Sequence, residues 1–424
     1  MTDKIIELLR KSSADAWSVT DKVTEAWEFY FIKHELDQNR VRDVEHISVT
    51  VYKKLEDGKF LGKATEEIAP TATEEEAAKI ISDLCVRASF VKNPYYELNK
   101  KQVAVTNKEY DPKQMAKDYI EALQQIPETS GEDINSYEIF AESCKRRFVN
   151  SEGIDVTITY PNSMVEVVVN ARNKDHEIEL YRMYKAGTCD KDHLVKEITE
   201  TLKTGKDRLE TKPTPALNKA PVVFSTEDSA KIYAWVAIKM NAALKYAGYS
   251  DWEIGKEILT DVKGDKITIK ALKELPNSSK NFAVDSEGAE VHDMDIVVDN
   301  VAKNYWGDCQ NCYYTGIKDS FIAGNFVAEG GNTTESEIRT GCYLEPVEFS
   351  DFSVDDITGD IAGEIRLAYY HDGDKVTAVT GGSVSGSLAE LLKDVKLSKE
   401  MKQYDSYLVP SVIRIEGVTI AGAE

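Results

Sequence analysis

Val156-Thr-Ile-Thr-Tyr-Pro-Asn-Ser-Met-Val-Glu-Val-Val-Val169 carries the clearest structural signal in the chain. Apolar residues occupy every second position on both sides of its Pro-Asn pair, first over residues 156–160 and then over residues 165–169. Because successive side chains of a β-strand point to opposite faces, this period of two predicts strands with one buried face. The Pro161-Asn162 pair predicts a turn between the two strands.

The same alternation extends in both directions, over residues 136–184. Asn150-Ser-Glu-Gly153 predicts a further turn, since these residue types are favoured in tight backbone conformations. Strands that follow one another through short turns predict an antiparallel meander. A helix is predicted after it, from about residue 192 to residue 209.

A hairpin and two helices are predicted nearer the N-terminus. Residues 47–51 alternate apolar with polar side chains, Asp57-Gly58 supplies a turn, and residues 60–68 can return as the second strand. One helix is predicted to begin after Thr73, which starts a capping-box sequence, and another at Asp111-Pro112.

Residues 211–221 contain three of the eleven prolines in the chain. Such a segment disfavours helix and sheet pairing, so we predict a boundary between an N-terminal domain of residues 1–212 and a C-terminal domain of residues 213–424. A long helix is predicted from Ser225, which can cap it, to Gly248, and the chain beyond it is mostly β. The predicted fold class is α+β, with an N-terminal antiparallel sheet and flanking helices, and a β-rich C-terminal domain preceded by one long helix.

The composition limits the kinds of partner. The chain has 424 residues, and 52 Lys and Arg against 74 Asp and Glu give a formal net charge of −22, which disfavours nucleic acid as a partner. No apolar run approaches the roughly 18 residues of a membrane helix, and the N-terminus lacks the apolar core of a signal peptide. Six cysteines in so long a chain do not make a disulfide framework. We therefore expect a cytoplasmic protein with reduced thiols and no membrane partner.

Several segments, in the same order along the chain, resemble the TldD/PmbA family, whose members are also called modulators of DNA gyrase. In the first half these segments are residues 49–52, 57–58, 62–64 and 150–153. In the second half they are Phe282-Ala-Val-Asp-Ser-Glu-Gly288, Gly324-Asn325, Thr358-Gly-Asp360, Gly381-Gly-Ser-Val-Ser-Gly386 and Val418-Thr-Ile-Ala-Gly422. Residues 95–135 add little to the resemblance.

The resemblance implies one of two kinds of protein. TldD-like members are zinc metallopeptidases with a His-Glu-x-x-x-His helix and a C-terminal cysteine ligand, whereas PmbA-like (TldE-like) members share the fold, lack that motif and pair with the TldD-like subunit. The corresponding helix here, residues 226–246, contains no histidine, and its only acids, Glu227 and Asp228, lie in its first turn. Zinc needs at least three converging donor atoms. We therefore expect a PmbA-like subunit without catalytic residues, metal or other cofactor of its own.

This expectation defines the partners. A zinc-bearing TldD-like peptidase subunit would complete a heterodimeric, peptide-processing complex, and a peptide or unfolded protein would be the substrate. A homodimer is the alternative when no such partner is present.

Seven residues are candidates for lining the peptide cleft that the resemblance implies. Asp285 and Glu287, next to Gly288, could serve acid-base chemistry or bind backbone N–H groups at a turn. Ser383 and Ser385 fail the Gly-x-Ser-x-Gly spacing of a nucleophile elbow. The resemblance implies that their segment lies near the cleft, where it would contact a peptide without acting on it. The full set is Asp285, Glu287, Gly288, Gly324, Asn325, Ser383 and Ser385.

Other sites and functions remain open from the residues. Cys309-Gln-Asn-Cys312 could bind zinc with Cys342 and His292, act as a redox pair, or be two reduced thiols in a loop. The dipeptides His34-Glu35 and His176-Glu177 have no second histidine at helical spacing. A stand-alone peptidase or hydrolase, acting through Cys309, Cys312 or the Asp285 and Glu287 pair, is one alternative function. A regulatory protein-binding module is another.

Overall fold

A computed structural model describes residues 1–319 and 321–423. Six strands form its N-terminal sheet: β1 (Ala16–Ile32), β2 (Glu35–Leu55), β3 (Phe60–Ile68), β4 (Glu132–Asn150), β5 (Asp155–Arg172) and β6 (Glu177–Ala186). They lie in the order β3-β2-β1-β4-β5-β6, and all neighbours are antiparallel. The predicted meander and the predicted N-terminal hairpin are both confirmed.

Four helices accompany this sheet: α1 (Thr2–Lys11), α2 (Glu74–Ala88), α3 (Pro112–Leu123) and α4 (Lys191–Arg208). Thr73 and Glu76 form the capping box of α2, and the Asp111 carboxylate accepts the N–H of Gln114 at the start of α3. These side-chain caps satisfy backbone donors that a helix terminus leaves free. Three of the helices lie where the sequence predicts them, and α1 is an addition.

All four helices pack on one face of the sheet. Val165, Val167 and Val169 of β5 share a buried cluster with α3 and α4, and β1 and β2 share another with α1 and α2. Among the described residues of the N-terminal half, no helix covers the opposite face of this sheet. One layer of helices on one layer of sheet therefore leaves the second face for other contacts.

The predicted turn at Pro161-Asn162 is wrong, because β5 continues through it. The strand instead changes which face it buries: Val156 and Ile158 pack against the C-terminal half, whereas Val165 packs under the helices. Pro161 is tolerated because β6 pairs with β5 from Ser163 onward, so no neighbour needs its missing N–H on that side. The turn after β5 lies at residues 173–176.

The C-terminal half is β-rich. Its strands are β7 (Lys212–Pro213), β8 (Leu217–Phe224), β9 (Ile269–Leu272), β10 (Met294–Val298), β11 (Val301–Ala302), β12 (Asn325–Ala328), β13 (Tyr343–Val354), β14 (Asp360–Asp372), β15 (Lys375–Thr380), β16 (Ser383–Ser387), β17 (Val395–Leu397), β18 (Met401–Tyr404), β19 (Tyr407–Pro410) and β20 (Ile413–Ala421). Its helices are α5 (Asp228–Lys239), α6 (Ala242–Tyr246), α7 (Cys309–Tyr314), α8 (Glu335–Ile338) and α9 (Leu388–Leu391). The predicted α+β fold class is confirmed.

These strands form two sheets around one large core. One sheet has the order β11-β10-β9-β12-β19-β18, and the other has the order β13-β8-β20-β16-β14-β15-β7. An additional pairing of β13 with β14 closes five strands of the second sheet into a ring. The apolar side chains of α5 enter the core between the sheets, where Ile232, Tyr233 and Val236 are buried.

Two details of the predicted C-terminal half are wrong. The long helix is divided into α5 and α6 at Asn241, whose side chain accepts the N–H of Ala243 and starts a new helix. Ser225 does not cap α5, because its hydroxyl donates to the Glu345 carboxylate. No helix among the described residues combines the length and the apolar character that crossing a membrane would require.

The two halves meet on the helix-free face of the N-terminal sheet. Phe148, Val156 and Ile158 of that face form a buried cluster with Val284. The segment between α2 and α3 joins the contact, since Tyr96 packs with Tyr52 and next to α7. The C-terminal half therefore covers one end of the face, around residues 144–160, and leaves its other end uncovered.

Candidate functional site

Asp285 organises a tight hairpin at the junction of the halves. Its carboxylate accepts three backbone N–H groups, from Glu287, Ala289 and Ile322, and the side chain is 3% exposed. Three such bonds occupy the carboxylate and hold the turn together. Two uses are predicted for Asp285, acid-base chemistry and the binding of backbone N–H groups at a turn. The structure shows the second of these contacts.

Glu287 lies in the same hairpin but has a different environment. Its Oε2 accepts the backbone N–H of Cys309 at 2.7 Å. Burial raises the pKa of Glu287 to about 7, and the nearby Asp285 and Asp308 carboxylates add to the rise, against the effect of the Cys309 N–H. This carboxyl therefore changes its charge near neutral pH.

The CxxC segment forms a helix and not the predicted loop. Burial, with the Glu287 carboxylate, raises the pKa of the Cys309 thiol to about 12, and burial likewise raises the pKa of Cys312 to about 12. The Cys309 thiol donates to the carbonyl of Glu97. Protonated thiols are poor nucleophiles and poor metal ligands.

The other proposed zinc ligands lie apart from this pair. The Cys342 thiol contacts Asp372, and His292 pairs with Asp319. Across residues 1–319 and 321–423, no group of three or more His, Cys, Asp and Glu side chains is arranged to hold a metal ion. His34 and His176 face different neighbours: His34 contacts Glu128, and His176 lies in the turn before β6.

The remaining predicted cleft residues fall into two places. Asn325 is 0% exposed, accepts the hydroxyl of Ser278 and donates to Asn281, so it anchors the neighbouring loop. The hairpin and Gly324 are brought together, because Asp285 bonds to Ile322 two residues before that glycine. Ser383 and Ser385 lie apart from them in β16, half-buried and paired with β14 and β20.

A more open surface lies on the uncovered end of the helix-free sheet face. We call it the open face, defined by the half-buried or exposed side chains of Tyr30, Glu138, Phe140, Met164, Glu166, Tyr181 and Met183. The strand register places them on one side, since Glu138 lies opposite both Tyr30 and Glu166, and Glu166 lies opposite Met183. The open face thus combines apolar and aromatic side chains with two acids, and the exposed cation Lys185 lies on the same side, opposite Met164.

Glu138 and Glu166 are directly opposite each other on neighbouring strands. Like charges in this position repel each other. Burial raises the pKa of Glu138, and Glu166 raises it further. By contrast, Glu28 and Glu142 on the same side of the sheet are paired with Arg42.

Tyr181 is the exposed aromatic ring of this surface, with 50% of its area accessible. It lies opposite Val168, which makes Glu166 its diagonal neighbour. Burial raises the pKa of Tyr181 to about 12, and the carboxylates of Glu166, Glu138 and Glu227 each raise it further. Acids of β4, β5 and the residue before α5 therefore all act on the pKa of this tyrosine, with Glu166 having the largest effect of the three.

Glu227 brings the C-terminal half to this place, at the residue that precedes α5. Its side chain is exposed, but the surrounding protein and Asp228 raise its pKa, against the effect of Arg182. The nearest cations already have partners, since Arg182 pairs with Glu348 and Lys231 pairs with Asp228. Glu197 of α4 also raises the pKa of Glu227, so Glu227 lies near α4 and the outermost strand β6.

Sequence reasoning missed Glu138, Glu166 and Tyr181 as site residues. Polar and aromatic residues at alternate strand positions are what any half-exposed sheet surface shows. From the sequence, Glu227 is predicted only as an acid in the first turn of the helix of residues 226–246. The available signal was that acids alternate with apolar residues in β4 and β5, but the pairing of the strands is needed to bring them together.

The helix α5 does not offer a zinc site. From Ser229 to Met240 it contains no imidazole, thiol or carboxylate, and eight of its side chains, including those of Tyr233 and Trp235, are buried. Its two acids, Glu227 and Asp228, are at its start. These residues fit packing against the core and do not fit the converging donor set that zinc requires.

Comparisons of the sequence with known proteins find one matching family model and one curated relative. Residues 217–422 match the family model described as the PmbA/TldA metallopeptidase C-terminal domain. Over 173 residues, 38% of the chain, the sequence is 25% identical to an uncharacterised protein of Methanocaldococcus jannaschii. That match spans 40% of the length of this curated relative.

Solved structures share the fold over nearly the whole chain. TldE from Thermococcus kodakarensis has a TM-score of 0.78 and covers 99% of this chain and 100% of its own. Two candidate modulators of DNA gyrase, from Thermotoga maritima and Bacteroides thetaiotaomicron, have TM-scores of 0.77 and 0.79, and cover 100% and 99% of this chain and 99% and 98% of their own. All three are 14% identical in sequence, so they establish the fold alone.

Proposed function

This chain belongs to the TldD/PmbA family through its C-terminal half, and from that premise we propose that it is a non-catalytic, PmbA-like subunit. Its task is to hold an extended peptide or unfolded protein for a separate zinc-bearing, TldD-like peptidase. The two chains would form a heterodimer that carries out proteolysis together.

The composition of α5 is the observation that carries this proposal. In the peptidase members that the chain resembles, the corresponding helix supplies zinc ligands and a general base. Here the same helix buries Ile232, Val236 and Ala237 in the core, and its acids are confined to its start. A chain that cannot assemble the metal site on this helix needs the chemistry to come from another subunit.

The outermost strands of two sheets support the peptide-holding part of the proposal. β6 ends the N-terminal sheet, and β18 ends one sheet of the C-terminal half. Outer strands can pair with the backbone of an extended peptide, whatever its sequence, while side chains on the sheet face add selectivity. The predicted hairpin residues Asp285, Glu287 and Gly288 would support the peptide cleft that the resemblance implies.

The rival function of a stand-alone hydrolase gains nothing from the geometry of its candidate residues. Asp285 is saturated by backbone bonds, and the raised pKa values of Cys309 and Cys312 keep both thiols protonated at neutral pH. An activated nucleophile needs a lowered pKa or an adjacent base.

The test is purification of the tagged chain from its native cells, followed by peptide-cleavage assays. We expect a paralogue with a His-Glu-x-x-x-His helix to co-purify, and we expect cleavage from the mixture but not from the chain alone. Replacing the glutamate of the paralogue's motif should abolish that cleavage, whereas Cys309→Ala and Glu287→Gln in this chain should leave it intact.

Two results would overturn the proposal. One is robust cleavage by the isolated chain that Cys309→Ala or Glu287→Gln abolishes. The other is one equivalent of zinc per chain in elemental analysis of the isolated protein.

A further inference from the structure

We propose that Glu287 is a pH-sensitive latch at the junction of the two halves. It holds α7 against the hairpin of residues 284–290 while its carboxyl group carries a proton, and it releases α7 when that proton is lost. Such a latch needs neither a partner subunit nor a peptide, so it is independent of the proposed function.

Glu287 lies where elements of both halves meet. Its carboxyl group accepts the backbone N–H of Cys309, the first residue of α7, at 2.7 Å, and its backbone carbonyl accepts the side chain of Asn99 at 3.1 Å. Asn99 belongs to residues 89–111, between α2 and α3, which we call the connecting segment. One residue thus joins the hairpin, α7 and the connecting segment.

The connecting segment is itself fixed to the N-terminal half. The carbonyl of Asn93 accepts the N–H of Leu61 in β3, and the carbonyl of Asn99 accepts the side chain of Asn150 at the end of β4. A movement of α7 away from this segment therefore opens the junction between the halves.

The charged groups around Glu287 favour its neutral form. Burial raises the pKa of Glu287 against the effect of the Cys309 N–H, and the carboxylates of Asp285 and of Asp308, the N-cap of α7, add to the rise. Lys63 of β3 lowers the pKa, but it has the smallest of these effects. The nearby acids thus outweigh the nearby cation.

The other titratable groups at this place do not balance an ionised Glu287. The hydroxyls of Tyr52 on β2 and of Tyr96 in the connecting segment, and the thiol of Cys309, stay protonated at neutral pH because burial raises the pKa of each. Arg146 of β4 donates to two backbone carbonyls of the hairpin. An ionised Glu287 is therefore a poorly compensated charge surrounded by protein.

The neighbouring Asp285 shows what Glu287 lacks. The Asp285 carboxylate accepts three backbone N–H groups, whereas that of Glu287 accepts one. Several donors stabilise a buried charge, and a single donor leaves most of it without a partner. Separation of α7 from the hairpin would let water reach the ionised Glu287 and would increase its distance from Asp308.

The other contacts between α7 and the connecting segment involve neutral groups. The Cys309 thiol donates to the carbonyl of Glu97, the Tyr314 hydroxyl donates to the carbonyl of Pro94, and the rings of Tyr96 and Tyr314 pack edge to face. These contacts should have the same strength at pH 5 and at pH 7.5. The hairpin carboxyl therefore supplies the change in charge across this range.

The opening should be local. α7 has six residues, and a helix of that length gains little stability from its own hydrogen bonds. Elsewhere in the junction, Asn277 bonds to Gly187 and Thr188 through amide, hydroxyl and backbone groups that do not titrate. We therefore expect residues 284–292 and 306–316 to open together while the Asn277 contact stays closed.

Hydrogen–deuterium exchange of the full chain, followed by mass spectrometry, tests the latch. The natural chain is compared at pH 5.0 and at pH 7.5 with Glu287→Gln, which keeps an acceptor for the Cys309 N–H but cannot ionise. A comparison at one pH cancels the intrinsic pH dependence of exchange. In residues 306–316 the natural chain should exchange faster than the variant.

The ratio of the two exchange rates should rise by more than about tenfold from pH 5.0 to pH 7.5. The closed junction holds the Glu287 proton up to about pH 7, whereas the open one releases it near the ordinary value of 4.5. The natural chain alone supplies a second measurement, since the protection of residues 306–316 should fall relative to that of α4 over the same range.

Glu290→Gln is the matched control. Glu290 lies in the same hairpin and pairs with Lys101 of the connecting segment, and the bond from Lys101 lowers the pKa of Glu290. This carboxylate is therefore charged at both pH values. The ratio of the natural chain to this control should be the same at pH 5.0 and at pH 7.5.

Three results would overturn the latch. One is a ratio between the natural chain and Glu287→Gln that does not change with pH. Another is an equal rise of that ratio in α4, because ionisation would then weaken the whole fold without opening the junction. The third is the same pH-dependent ratio for Glu290→Gln, which would make Glu287 one acid among others.

Discussion

At the scale of single residues, neighbouring carboxyl groups have different tasks because their surroundings differ. Asp285 is fixed by three backbone N–H groups, whereas Glu287, two residues later, has one such bond and a pKa of about 7. On the helix-free face of the sheet, the neighbour of Glu138 is another acid, Glu166, whereas Glu142 pairs with Arg42. The residue type alone therefore does not predict which acid stabilises the fold and which is available to a ligand.

The raised pKa of Glu287 predicts a pH-dependent stability. The folded chain holds this proton up to about pH 7, while the unfolded chain releases it near the ordinary value of 4.5. Folded protein thus binds more protons over that range, and the free energy of unfolding should fall by up to about 3 kcal/mol as pH rises through it. Urea unfolding of the natural chain and of Glu287→Gln at several pH values will measure the difference.

The Glu287→Gln variant keeps an acceptor for the Cys309 N–H and should lack this fall. Glu75→Gln, an exposed change on α2, serves as the control and should follow the natural chain. Parallel profiles for the natural chain and Glu287→Gln between pH 4.5 and 7 would contradict the prediction.

The like-charge pair predicts a stabilising substitution. Glu138→Gln removes the repulsion from Glu166 and should raise the free energy of unfolding at pH 7 by about 0.5 kcal/mol. Glu142→Gln, four residues further along the same face of β4, should lower it, because Glu142 accepts bonds from Arg42 and Asn162. Thermal unfolding of both variants checks the contrast, and a loss of stability in both would count against it.

At the scale of elements, β5 shows why a regular pattern was misread. Its apolar residues move from even to odd positions near Pro161, and the sequence offers a turn as the simplest explanation. The structure shows one strand whose ends are covered from opposite sides, first by the C-terminal half and then by α3 and α4. A shift in alternation can therefore mark a change of buried face within a strand.

The hairpin of residues 284–290 yields a prediction at this scale. Gly288 has φ +77°, and a Cβ there would lie 2.8 Å from the ring of Phe148 in the other half. Gly288→Ala should combine backbone strain with displacement of this contact and destabilise the fold by about 3 kcal/mol.

Gly58→Ala is the matched control for this change. Gly58 has φ +84° with nothing within 4 Å of the added Cβ, so it should cost about 1 kcal/mol from strain alone. Urea unfolding of both variants measures the difference. Equal losses would mean that the hairpin does not depend on its contact with Phe148.

At the scale of the whole molecule, the C-terminal half has a separate core, and ion pairs join it to the N-terminal half. The largest buried cluster draws all its members from residue 217 onward, so the C-terminal half has a core of its own. Across the junction, Arg182 pairs with Glu348 and Lys402 pairs with Glu197. Separate cores joined by polar contacts are typical of two-domain proteins.

The boundary between residues 212 and 213 stays a prediction, and expression of residues 213–424 tests it. We expect this fragment to unfold cooperatively on heating, because its core is complete without the N-terminal half. A fragment without a cooperative transition would contradict the boundary.

From the sequence, local rules were sufficient for the meander, the first hairpin, α2, α3, α4 and the α+β class. Alternation, capping residues and turn residues act within a few positions of each other, so they can be read without the fold. Motif segments spread along the chain were sufficient for the family, and the composition of residues 226–246 was sufficient for the expectation of no zinc site there.

Long-range packing decided what the local rules could not. It determined that β5 runs through Pro161, that α5 ends at Lys239, and that Glu138 lies directly opposite Glu166. Local preferences fix which residues form a strand or a helix, but the distance between two strands depends on register and on what covers each face. Those depend on the free energy of burying the whole chain at once, and no short segment contains that information.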